Sequence, residues 1–139
     1  MPSSVLYTSQ RTISHPVSMR GIGLHSGDSI CLRICPAPAD HGVVFLRVDT
    51  QDKVRIPARQ NFIFDTRLCT TIAHKGYTVA TVEHLLSAVA GLHLDNLLVE
   101  IDGPEVPIMD GSSAPFVFAL RSAGIALQHV KKSAIRILE

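Results

Sequence analysis

The clearest periodic stretch in the chain runs from Thr81 to Gly91. With Thr81 as N-cap, Val82, Leu85, Leu86, Val89 and Ala90 fall on one apolar stripe at helical spacing. Glu83 lies on the flank of that stripe and His84 nearly opposite it. The far face carries His84, Ser87, Ala88 and Gly91, mostly small residues against which another layer can pack closely. Gly91 is placed to end the helix, because glycine takes the left-handed conformation without steric cost. Glu83 and His84 share the first turn, where unpaired N–H groups favour a negative side chain.

Upstream the period changes from helical to alternating. Gln10 to Ser14 predicts a first strand, limited by Pro16. Gly21 to Asp28 is a glycine-punctuated turn. It lacks the Gly-Lys-Ser/Thr ending of a phosphate loop and the spacing of a dinucleotide fingerprint. Ile30 to Cys35 alternates Ile30, Leu32 and Ile34 against Cys31, Arg33 and Cys35, the signature of a strand. Gly42 to Val48 predicts a buried strand and Val54 to Ala58 an edge strand that tolerates Pro57. Arg67 to Ala73 predicts another strand, closed into a hairpin by His74-Lys75-Gly76.

Beyond the helix, Leu97 to Ile101, Val106 to Met109, Ala126 to Val130 and Ala134 to Leu138 predict extended segments. Ser113 caps a second helix, with Pro115 just inside its start and Gly124 at its end. Strands followed by helix, strand, helix and strand predict an α+β fold: a two-layer, mostly antiparallel sheet with two helices on one face. Residues 1–9 form a loose tail in this division, 10–128 a domain, and 129–139 the start of a connection onward.

Composition narrows the function. The 139 residues are 46% hydrophobic with a net charge of +1, which suits one folded domain and marks no nucleic-acid surface. No apolar run approaches the roughly 18 residues of a membrane span, and Met1 to Val5 lacks a signal-peptide pattern. The three cysteines do not suggest a disulfide framework, so a reducing, cytoplasmic setting is expected. Cys31 and Cys35 on one strand would stand roughly 13 Å apart, too far to share a zinc. A carboxylate of the Asp102–Glu105 turn with Asp110 has the makings of a glycosidase pair, but acids in turns are routine.

The motifs go further. The run 81–88, then Asp95-Asn96-Leu97 and Gly103 through Phe116, resembles the UDP-3-O-acyl-N-acetylglucosamine deacetylase family. Gln10-Arg11-Thr12, Gly21 to Gly27 and Pro36-Ala37-Pro38 fit the family's opening in the same order. The resemblance implies a zinc-dependent hydrolase of lipid A synthesis in Gram-negative bacteria. It implies two related α+β halves whose helices lie between outer sheets, with the active site at their junction. By that resemblance Glu83 is the general base, His84 is a Zn2+ ligand, Cys69 lies near the metal, and Leu24, His25 and Leu68 line the substrate site. Zinc would activate a water, Glu83 would take its proton, and attack on the acetamide carbon would release acetate.

The family completes its zinc site with a His-x-x-x-Asp pair from the second half. None of the seven histidines here is followed by Asp at that spacing. The expectation is therefore an amino-terminal domain, inactive alone, that acts on UDP-3-O-acyl-N-acetylglucosamine when completed by a second domain or a complementary chain. The alternative is a truncated, non-catalytic paralogue that binds or regulates, self-associating or pairing through its exposed helix layer.

Overall fold

A computed structural model describes residues 8–135 and 137–138. Most of the expected N-terminal tail, residues 1–7, lies outside them. The alternation upstream of the helices builds a five-stranded sheet. Its strands are β2 (Val17–Ile22), β3 (Ser29–Pro36), β4 (Val43–Arg47), β5 (Arg55–Pro57) and β9 (Leu97–Ile101), in the order β2-β3-β9-β4-β5. All neighbours are antiparallel except β4 with β9, which is parallel. Ile30, Leu32 and Ile34 of β3 are buried while Arg33 is exposed, so one sheet face is core and the other is wet. β5 lies at the sheet edge, where Pro57 costs no ladder hydrogen bond.

Two smaller sheets complete the strands. β1 (Ser9–Ile13) pairs antiparallel with β10 (Ile125–Lys131). β6 (Ile63–Asp65), β7 (Thr71–His74) and β8 (Tyr77–Val79) form a three-stranded antiparallel sheet. Helices α1 (Glu83–Gly91) and α2 (Ala114–Ser122) cover the inner face of the large sheet. Leu85, Ala88 and Val89 of α1 and Phe116 and Leu120 of α2 share one core with Ile30, Leu32, Phe45, Leu97 and Val99. The arrangement is the expected α+β fold.

The differences from expectation have local causes. Thr81 does not cap α1. Its backbone sits at φ 57°, and its hydroxyl donates to Glu105 instead of accepting from the helix. Val82 takes the N-cap position without a side-chain hydrogen bond. The buried arc of α1 also turns toward Ala88, which is 1% exposed, while Ala90 faces solvent. The second helix packs against α1.

β2 was not legible as a strand, because its sides are half-buried and exposed in alternation and its apolar signal is weak. Gly21 belongs to it rather than to a turn. A Cβ there would stand 2.8 Å from both Met109 Sδ and Pro107 Cβ, so glycine is required by close packing. The strand expected from Arg67 begins only at Thr71. The Asp65 carboxylate accepts both the Arg67 N–H and its guanidinium, and this local turn holds 66–69 out of the ladder. Val106 to Met109 forms no strand, since its N–H groups go to Ala80 and Ile22 on separate elements. Among the described residues of 134–138 no strand forms either.

Candidate active site

A cleft of about 780 Å3 opens between the small β6-β7-β8 sheet, the Gly23–Gly27 turn and the Pro104-Glu105 corner. His25, Leu68 and Cys69 line it, together with Arg67, Thr78 and Glu105. The Asp65–Arg67 turn presents Leu68 to its mouth, where the side chain is 87% exposed. Leu24 is also exposed but lies outside the lining. Cys69 is a free thiol, as are Cys31 and Cys35. Its Sγ lies 3.6 Å from the Thr71 hydroxyl.

Glu105 organises one wall. It is 3% exposed, yet its carboxylate receives four hydrogen bonds: the backbone N–H groups of His25 and Ser26, the Thr81 hydroxyl and the His25 ring. The His25 Nδ1 to Glu105 Oε1 distance is 2.7 Å. Burial pushes the Glu105 pKa up and is the largest single influence. The His25 ring, the two N–H groups and the Thr81 hydroxyl together overcome it and hold the pKa below its ordinary value. In the sequence Glu105 reads as a turn acid. The one local hint of burial is the apolar run Val106-Pro107-Ile108 that follows it.

Gly23 makes this wall possible. A Cβ at that position would collide with Ser26 Oγ and stand 2.7 Å from Glu105 Oε2. Gly23→Ala is expected to lower the unfolding free energy by about 1–3 kcal/mol, measured by urea denaturation. A variant as stable as the parent would show that the turn has room to yield.

Glu83 and His84 begin α1 and are half-buried. Glu83 Oε2 accepts the Thr70 N–H at 3.2 Å, while the Thr70 carbonyl accepts the Val82 N–H at 3.3 Å. This two-way contact docks the loop bearing Leu68 and Cys69 onto the helix start. Neither Glu83 nor His84 is among the cleft-lining residues, and His84 lies toward Asp110. The Ser112 hydroxyl and N–H lower the Asp110 pKa most, and His84 adds a smaller pull. The three acids of the glycosidase idea are dispersed: Asp102 accepts the Cys31 N–H, Glu105 holds His25, and Asp110 binds Ser112.

Among the described residues, no group of three or more His, Cys, Asp or Glu side chains could hold a metal ion. His84 offers one ring, which falls short of the ligand set of a catalytic zinc. These residues alone do not fit the ion, and a zinc site would need ligands beyond them. Among the same residues no helix is long and apolar enough to cross a membrane.

The profile of the family described as LpxC, UDP-3-O-acyl N-acetylglycosamine deacetylase, matches residues 10–139. A protein named UDP-3-O-acyl-N-acetylglucosamine deacetylase from Legionella pneumophila (strain Corby) is 52% identical over 130 residues, covering 94% of this chain and 43% of that relative. A protein of the same name from Xanthomonas campestris pv. campestris (strain B100) is 51% identical with the same coverage. One from Xanthomonas axonopodis pv. citri (strain 306) is 51% identical over 132 residues, 95% of this chain and 44% of the relative. The chain therefore spans less than half the length of these relatives.

Proposed function

The chain belongs to the UDP-3-O-acyl N-acetylglycosamine deacetylase family, and on that premise we propose that it carries the base-bearing part of a deacetylase active site. The reaction is hydrolysis of the acetamide of UDP-3-O-acyl-N-acetylglucosamine to the free amine and acetate, in lipid A synthesis in the cytoplasm. The observation that carries this reading is Glu83, a half-buried carboxylate that accepts the N–H of Thr70, the residue between Cys69 and Thr71 of the cleft lining.

In this reading Glu83 takes the proton of the attacking water. The Thr70 N–H occupies Oε2 and aims the carboxylate, leaving Oε1 for that proton. His25, Leu68 and Cys69, with Leu24 beside them, border the substrate. His84 is the one group here proposed to ligate zinc, and the remaining ligands would come from a second half.

A second reading rests on Phe118, which is 77% exposed on α2. A bare aromatic at this position on α2 suits a non-catalytic module that pairs through this face. The purified chain separates the two from independent activity. Both readings expect it to hold less than stoichiometric zinc and to release no acetate from the substrate. Tight one-to-one zinc and robust turnover by the chain alone would overturn the claim that its own ligands are insufficient.

A further inference from the structure

Glu105 does more than close a turn. An ionised carboxylate only accepts hydrogen bonds. Three of its partners, the His25 N–H, the Ser26 N–H and the Thr81 hydroxyl, supply donors. The fourth, His25 Nδ1 at 2.7 Å, must donate as well. A neutral ring then has Nδ1 protonated and a bare lone pair on Nε2. Among the described residues Nε2 has no hydrogen-bond partner, and the ring is 44% exposed where it lines the cleft.

The hold on the ring is rigid for two independent reasons. The turn backbone wraps the carboxylate through two N–H groups, and Gly23 leaves no space for a side chain beneath it. The same carboxylate also binds Thr81, a β-branched residue kept at φ 57°, where such residues rarely sit. Thr81 is separated from Glu83 by Val82 alone, so one buried acid sets both the His25 turn and the start of α1.

We propose that Glu105 is a positioning residue. It fixes His25 as the Nδ1–H tautomer and turns Nε2 into the cleft to accept a hydrogen bond from a hydroxyl or amide N–H of the bound sugar. The choice of a sugar rests on the deacetylase reading above; the tautomer does not.

The test uses the whole 139-residue chain labelled with 15N-histidine, observed by long-range 15N–1H correlation at mildly alkaline pH. His25 is assigned from the spectrum of His25→Gln. The expected result is a protonated Nδ1 and an unprotonated Nε2 at His25. In Glu105→Ala, which removes the acceptor, checked for native circular dichroism, the ring relaxes to a mixture of tautomers. On titration with UDP-N-acetylglucosamine the larger shift falls on Nε2. The wild-type spectrum needs no variant to fold, and an Nε2–H or doubly protonated His25 there overturns the proposal. So does an unchanged tautomer in folded Glu105→Ala, or a sugar that leaves Nε2 unmoved. Turnover by a completed enzyme is measured separately, so failure here and failure of the deacetylase reading give different results.

Discussion

If Glu83 is the base proposed above, Glu83→Gln is expected to lower deacetylation turnover by about 10²–10⁴-fold, the usual contribution of a positioned general base. The assay needs a completed active site, so the chain is fused to the remaining length of the Legionella pneumophila relative, to which it is 52% identical. Glutamine keeps the shape of the side chain and can still accept the Thr70 N–H through its carbonyl oxygen. The loop carrying Leu68 and Cys69 therefore stays docked, and KM should change little. What is lost is the ability to take a proton. Glu83→Ala removes the Thr70 contact as well, so it should raise KM in addition to lowering kcat. A Glu83→Gln fusion that turns over within a few-fold of the parent would remove Glu83 from the base role.

Glu105→Ala is expected to destabilise the fold by about 3 kcal/mol, the upper end for leaving buried donors unpaired. The loss arises less from the missing carboxylate than from the donors left behind, two of them backbone N–H groups. Thr81 would also lose the partner of its strained conformation. A loss below about 1 kcal/mol in urea denaturation would show that water replaces the carboxylate at little cost.

The same group gives the stability a pH dependence of defined sign. The Glu105 pKa is lower folded than its ordinary value of 4.5. Its contribution is therefore complete above that value and disappears as the pH falls through the folded pKa. Asp49 behaves alike, chiefly because of its hydrogen bonds from the Arg47 side chain. The difference in stability between the parent and Glu105→Ala should shrink as the solution is made acidic below the ordinary carboxylate range. A difference that stays constant through that range would mean the clamp works without its charge.

Much of the fold was legible because its causes are local. Ile30, Leu32 and Ile34 alternate with polar neighbours, and a strand with one wet face is the simplest way to satisfy them. Pro57 called for a sheet edge, and β5 lies there. Gly124 ends α2 at φ 77°, the left-handed geometry expected of a helix-ending glycine. The ordered motifs from Thr81 to Phe116 point to the family by themselves, and residues 10–139 match its profile.

Other features depended on partners far along the chain. Thr81 looked like a helix cap, because threonine commonly caps; a carboxylate 24 residues away took its hydroxyl instead. Gly21 looked like a turn, because glycine commonly turns; the crossing of Pro107 and Met109 put it in a strand. Glu105 looked like one acid in a polar corner. Its partners His25 and Ser26 lie 80 and 79 residues back. Periodicity and turn chemistry report what a residue needs from its immediate neighbours. They carry no information on which distant donors will surround a buried charge, so the strands, helices and family were written in the sequence, while the clamp that sets His25 and the start of α1 was decided only when the chain closed on itself.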